Sequence, residues 1–422
     1  MKTFAFATFT AAALAASSAL AADLGRPAPA AVDYVKVCDA YGEGFFYIPG
    51  TETCLKIGGY LRVEYRLYDA TRLYGAYGIP QGSDRRISDR VGSRARANIQ
   101  FDGRTNTEYG LLRSFIELQY TVDSGSSTAR SEVQKAYVQF GGLTAGRAQS
   151  FFDFYLGDHY ASVFETAHSD SIVNMLAYTV SFGSGITATL SLEDPTTAGG
   201  GLRRWSTAAI PSIGADTIGP YAGLKYPDVV GNVNVTQSWG TAQVMAAAHH
   251  VNGIALGRTT PRGVDYFVGS NRDEWGYAVG AGATIKLPMI ADGDTVTVQA
   301  AYGKGAVGFV SPDWYAANDY VSIARGSRSK MSLTESWSVA GGFLHNWNAQ
   351  WSTAMTTSFA TIDHKGRFWD YDQFDIGGNL VWAPVTGLSI GAELEYKNVD
   401  FDPGSRKDRD ALVGLLRVQR NF

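Results

Sequence analysis

Between Lys56 and Tyr68 the side chains alternate. Ile57, Gly59, Leu61, Val63, Tyr65 and Leu67 fall on one face, and Lys56, Tyr60, Arg62, Glu64 and Arg66 on the other. A helical period would mix these sets, whereas the period of two that separates them is that of a β-strand. The pattern returns at 90–102, where Val91, Ala95, Ala97, Ile99 and Phe101 oppose Arg94, Arg96, Asn98 and Gln100, with Ser93 the polar exception. It returns at 109–121, where Leu112, Ile116, Leu118 and Tyr120 oppose Arg113, Glu117 and Gln119. Sixteen such segments are expected: 55–68, 90–102, 109–121, 131–141, 142–148, 174–183, 185–193, 228–238, 241–251, 275–287, 294–303, 332–346, 350–361, 373–383, 387–399 and 411–422.

The connections alternate in length. Gly141-Gly142, Gly183-Ser184-Gly185, Trp239-Gly240, Asn346 to Ala349 and Ala383 to Thr386 are short links. Between them lie 69–89, 149–173, 194–227, 252–274, 304–331 and 400–410, which read as long loops. Short turns at one end and long loops at the other is the asymmetry of bacterial outer-membrane β-barrels. Seven turns and eight loops would put both termini on the turn side.

A soluble barrel or sandwich also alternates, with its apolar face inward. The charged face discriminates. Arg62, Arg66, Arg94, Arg96 and Arg113 lie on the polar faces of the first three strands, where like charges across a sheet destabilise one another unless compensated. Such a wall makes sense lining water opposite an acidic partner. The chain end agrees: Leu412, Gly414, Leu416, Val418 and Phe422 share a face, which suits a lipid-facing closing strand ending in an interfacial ring.

The start of the chain reads as a secretory signal peptide over 1–21. Lys2 is a minimal basic region, Phe4 to Ala16 is apolar or small apart from threonines, and Ala19-Leu20-Ala21 is a small-x-small cleavage site. No later run approaches the roughly 20 apolar residues of a spanning helix, which leaves the closed barrel as the way to cross a membrane. With 48 glycines, 23 tyrosines and 21 phenylalanines, the composition suits a large barrel without a dry core. A net charge of −4 argues against nucleic acid as a partner.

Cys38 and Cys54 are the only cysteines, and the signal sends them to an oxidising compartment. One intrachain bridge is possible. The competing metal pair has no His or Asp cluster nearby to complete it. The expected organisation is a signal at 1–21, an N-terminal periplasmic segment with the disulfide at 22–54 and the barrel at 55–422.

Val37-Cys38-Asp39-Ala40-Tyr41-Gly42, then Phe46 through Leu55, then Gly59-Tyr60, closely resembles the mature N-terminal region of the alphaproteobacterial porin family. Pro227 to Val230 followed by Ser238-Trp239-Gly240 resembles the same family's mid-chain segment. The resemblance implies a homotrimeric sixteen-stranded general porin of the Gram-negative outer membrane, in contact with lipid and lipopolysaccharide, passing small hydrophilic solutes and ions without cofactor, metal or catalysis. It implies that the third long loop, about 149–173, folds into the barrel and turns Asp153, Asp158, Glu165 and Asp170 toward a basic wall of Arg62, Arg66, Arg94, Arg96, Arg113 and Arg147. It also implies that Phe422 is read by the barrel-assembly machinery.

Two catalytic patterns are set aside. Gly387-Leu388-Ser389-Ile390-Gly391 matches G-x-S-x-G but runs straight into a strand, without the elbow that the nucleophile needs. Gly303 to Gly308 matches G-x-G-x-x-G, yet Val310-Ser311-Pro312 follows in place of a helix. His249-His250 points to opposite faces of a strand and has no ligand set nearby. The competing functions are a substrate-selective channel on the same barrel and, from another class, a soluble secreted β-rich binding protein.

Overall fold

The computed structural model describes residues 36–69, 91–154, 157, 159–160, 164, 166–200, 212–213, 216–217, 221–259, 266–311, 318–325, 328–365, 370–402 and 408–422. Residues 1–35, with the expected signal at 1–21, lie outside them.

The alternating segments form sixteen antiparallel strands. They are β1 (Cys54–Asp69), β2 (Val91–Thr107), β3 (Gly110–Asp123), β4 (Arg130–Phe140), β5 (Leu143–Gln149), β6 (Ser171–Gly183), β7 (Ile186–Gly200) and β8 (Asp228–Gln237) in the first half. The second half is β9 (Gly240–Thr259), β10 (Tyr266–Lys286), β11 (Thr295–Lys304), β12 (Glu335–Asn346), β13 (Trp351–Asp363), β14 (Tyr371–Val385), β15 (Leu388–Phe401) and β16 (Arg409–Asn421). Each pairs with its neighbour in sequence, and β16 returns to β1 from Asn421 opposite Tyr60 to Leu412 opposite Asp69. The sheet has no free edge, so its backbone groups are hydrogen-bonded all the way round.

The last residue completes the seam. Gly59 N donates to Phe422 O at 3.2 Å, and Phe422 N donates to Gly59 O at 3.1 Å. Gly59 has φ +149°, and a Cβ there would lie 2.1 Å from the Asn98 carbonyl oxygen. Only glycine fits this crossing.

Burial is inverted relative to a soluble protein. Leu61, Val244, Leu394 and Leu416 are 56–62% exposed on the outer face, while Glu64, Glu193, Glu393 and Arg417 are at most 5% exposed inside. An apolar belt of this extent is stable only against lipid. Aromatic pairs mark both rims of the belt. Trp351 and Trp382 stack at 6.0 Å at the turn end, and Trp337 and Phe359 lie 5.5 Å apart at the loop end. A bulge keeps the alternation in phase: Glu117 and Leu118 of β3 oppose Lys135 and Val133 of β4, leaving Gln134 unpaired. Val133 before it and Val138 after it both face outward.

One expected loop is absent. The segment 252–274 reads as a long link, yet β9 and β10 stay paired out to Thr259 opposite Tyr266. A two-stranded ribbon standing beyond the bilayer has no lipid face, so nothing selects alternation there and the pattern gives no sign of it. The segment 304–331 likewise contains a hairpin, Tyr320–Arg325 paired with Arg328–Leu333.

At the turn end Phe46 and Tyr47 pair with Leu55 and Cys54. The Cys38–Cys54 disulfide spans 6.0 Å between Cα atoms and is buried with Phe45. Arg104 lies 4.9 Å from the Phe45 ring centre.

Two predictions follow from this arrangement. Leu394→Arg, at mid-height on the lipid face of β15, costs about 2–4 kcal/mol of folding stability, and Leu388→Arg beside the turn costs about 0–1; urea titration in lipid vesicles distinguishes them. Cys38→Ser with Cys54→Ser removes about 3 kcal/mol of loop constraint. Hydrogen exchange over residues 39–53 then speeds up by roughly two orders of magnitude, with the barrel strands unchanged.

Candidate functional site: the lumen constriction

The inner faces of β16, β1, β2 and β3 carry a ladder of arginines interleaved with carboxylates. Glu64 is its centre. It meets Arg66 at 2.6 Å, Arg417 at 2.6 Å and Arg62 at 3.9 Å. Arg94 grips Asp123 through Nε at 2.6 Å and Nη2 at 3.0 Å. Nearer the turn end, Asp102 takes both Arg104 at 2.7 Å and Arg113 at 2.8 Å. Paired charges of this kind lie in a polar, water-facing interior, where each guanidinium fork finds a planar carboxylate.

Arg62 and Arg96 differ. They are opposite each other in the β1–β2 register. Arg62 Nε donates to the Gln419 amide oxygen at 2.7 Å, and Arg96 Nε to the Thr121 hydroxyl at 3.1 Å. The Nε hydrogen bonds of these two neighbouring guanidiniums therefore run to neutral acceptors, with Glu64 farther off at 3.9 Å from Arg62. Arg147 stands apart on β5, with Nε donating to the Val133 carbonyl at 2.9 Å.

The described residues between β5 and β6 (150–154, 157, 159–160, 164 and 166–170) lie along the inner wall. Wall carboxylates hold its main chain. Glu193 accepts the Ser150 hydroxyl at 2.8 Å and Phe151 N at 3.1 Å. Glu393 accepts Tyr160 N at 2.5 Å, and Glu395 accepts Phe164 N at 2.8 Å. Ser358 Oγ accepts Ala167 N at 2.8 Å and its hydroxyl donates a hydrogen bond to Asp375. Amide groups donate as well: Asn232 to Phe151 O at 2.7 Å and Gln299 to Phe154 O at 3.4 Å. The contacts reach from β7 round to β16, where the Tyr160 ring lies 3.7 Å from the Arg417 guanidinium.

Missing side chains on the wall make room for this segment. A Cβ on Gly282 would fall 2.5 Å from the Phe154 ring, and one on Gly391 would fall 2.1 Å from the Tyr160 hydroxyl. These glycines exist for close approach, not for backbone conformation.

The acids expected on this loop are placed as follows. Asp153 accepts Gln149 at 2.6 Å, Ser171 N at 2.6 Å and the Ser169 hydroxyl. Asp170 accepts Gln149 at 2.8 Å. Both fasten the two ends of the loop at its base. Asp158 and Glu165 lie outside the described residues. Among the described residues, the carboxylates that meet the expected arginines Arg62, Arg66, Arg94 and Arg113 are wall residues, Glu64, Asp102 and Asp123. Sequence reasoning put Glu64 on a polar strand face but gave it no role, because periodicity says which way a side chain points and not what it meets.

A closed barrel with an apolar belt, a charged lumen and an inward loop is an outer-membrane channel of the porin class. Residues 26–412 match the porin subfamily, and the chain belongs to it. Porin Omp2b of Brucella canis and of Brucella abortus are each similar to it, at 28% identity over 434 residues, covering 98% of this chain and 97% of theirs. The barrel is similar to the outer membrane channel DcaP of Acinetobacter baumannii, with a TM-score of 0.69 at 14% identity over 89% of this chain and 99% of that one. It is also similar to the trimer form of the outer membrane protein OmpT of Vibrio cholerae, at a TM-score of 0.53 and 9% identity over 88% of this chain and 100% of that one.

The loop carries a pH dependence. Burial holds the His159 imidazole at a pKa of about 4 against its ordinary 6.5, with its Nδ1 2.7 Å from the Thr356 hydroxyl. The docked state therefore prefers the neutral ring. Docking is at full strength above pH 6.5 and weakens as pH falls from 6.5 toward 4, because only the undocked loop takes up the proton. Current fluctuations in single-channel records increase across that interval, and His159→Gln removes the increase.

Proposed function

We propose that the chain, freed of residues 1–21, assembles as a homotrimer and passes small hydrophilic solutes and ions by passive diffusion. The observation that carries this reading is the inside-out distribution of charge: paired carboxylates and arginines face a lumen, and apolar side chains face out. A sixteen-stranded barrel encloses an aqueous channel. The described residues of the loop 150–170 lie against the wall from β7 to β16 and leave Arg62 and Arg96 of β1 and β2 facing the open path. Solutes move down their gradient there, limited by size and biased by the local field. Asp153, Asp158, Glu165 and Asp170 belong to this loop in the proposal, with Arg62, Arg66, Arg94, Arg96, Arg113 and Arg147 on the facing walls. No chemical step is involved. Phe422, pinned at the seam and 60% exposed, is available to an assembly factor before closure. The outer belt is in contact with lipid and lipopolysaccharide.

Planar-bilayer recording of the purified mature protein tests the proposal. Large conductance steps in groups of three support it, and silence from inserted, folded protein overturns it. Arg62 and Arg96 set the bias because they lie opposite each other, bonded to neutral acceptors, with Glu64 no nearer than 3.9 Å to Arg62. Arg62→Gln with Arg96→Gln moves the reversal potential in a salt gradient toward cation preference. Arg104→Gln, in the Asp102 cluster nearer the turn end, moves it much less.

A further inference from the structure

The constricting loop is not the only segment inside the barrel. Directly after β11, Gly305, at φ +61°, bends the chain inward, and its N–H donates to Thr334 O at 2.7 Å. Val307–Phe309 forms one 3-10 turn, all of it buried. Phe309 is fully buried against Val230, Met245, Ala247 and Ala278, which are lumen-facing residues of β8, β9 and β10. Its ring meets Phe152 of the constricting loop edge-on at 4.8 Å. The wall makes room here too. A Cβ on Gly276 would lie 2.3 Å from the Gly305 carbonyl oxygen, and one on Gly303 would lie 3.0 Å from the Val310 side chain. Ser338 on β12 donates to Val310 O at 2.9 Å.

The returning end of the segment is fastened at Asp319. One oxygen accepts Val307 N at 2.8 Å, closing the segment on itself. The other accepts the Tyr221 hydroxyl and lies 3.4 Å from Nε2 of His249. His249 is on the inner face of β9, fully buried, and its Nδ1 is 2.7 Å from Asp228 on β8. A wall histidine held between two carboxylates, one from the wall and one from the segment, forms a latch.

We propose that Ala306–Val310 is a second constriction element. It fills the lumen along β8–β11, supports Phe152 of the first loop, and confines the water path to the arginine side. Asp319 and His249 are positioning residues that hold it there. This rests on the porin reading above and adds the determinant of its aperture.

The test measures two things in the intact protein. In bilayers, Asp319→Ala and, separately, Phe309→Ala widen the free cross-section. Conductance per channel is expected to rise by about 1.5-fold or more, since current follows the area of an aqueous lumen. Heat-modifiable migration on gels confirms that each variant is a folded barrel. Val310→Cys in the otherwise unchanged protein supplies a readout that does not depend on those variants. A water-soluble thiosulfonate reagent leaves this cysteine unmodified if the segment is docked, and modifies it once Asp319→Ala is added. Unchanged conductance in folded Phe309→Ala overturns the proposal. So does ready modification of the thiol in Val310→Cys with no second substitution. The conductance of the unaltered channel, recorded first in the same membrane, tests the porin reading separately.

Discussion

A chain in lipid has no water to satisfy its main-chain N–H and C=O groups, so every one inside the bilayer needs a partner within the protein. The β1–β16 seam meets that demand. Without it, fifteen strand pairings would still leave two open edges in hydrocarbon. Gly59 and Phe422 show how tightly the seam is built: the terminal residue exchanges both main-chain hydrogen bonds with a position where any side chain would collide with the neighbouring strand. The outward apolar belt follows from the same constraint, because the surface left after closure must suit lipid.

Closure creates the opposite problem inside. Half of each strand's side chains point into an enclosed space, and here those are arginines, glutamates, amides and hydroxyls. Isolated charges would be costly to bury, so they pair. Glu64 gathers three arginines, and Asp102 gathers two. The carboxylates of β7 and β15 are used differently. They accept main-chain N–H groups of an irregular segment that would otherwise need water, and charge-assisted bonds of this kind are the stronger ones. Glu193, Glu393 and Glu395 are thus both lumen charges and the anchors of the loop that narrows it.

Much of this was legible in the residues. The alternation of Ile57 to Leu67 against Lys56 to Arg66 gave strand, direction and face together, because side-chain direction in a strand is a local property. Sixteen segments, the turn-and-loop asymmetry and the arginine-bearing faces came from the same rule. The rule failed where neither face meets lipid. The β9–β10 ribbon beyond residue 252 looked like a loop, and the Gly305–Leu333 segment gave no sign that it returns to the lumen. In the candidate site the strand faces were legible and the partners were not: Arg113 belongs to the turn-end cluster with Asp102, and Asp153 and Asp170 fasten the loop base.

The sequence by itself determined the class of object. Period-two alternation and the succession of short turns and long loops specify strands, their faces and their sidedness, since all depend on near neighbours along the chain. Only the tertiary structure decided which charges meet, which carboxylates hold the loop, and that Phe309 and Asp319 reach the same lumen. Those contacts join residues separated by up to hundreds of positions, as with Glu64 and Arg417. They are set by barrel closure and by the small residues that let irregular backbone approach the wall, and no local period records them.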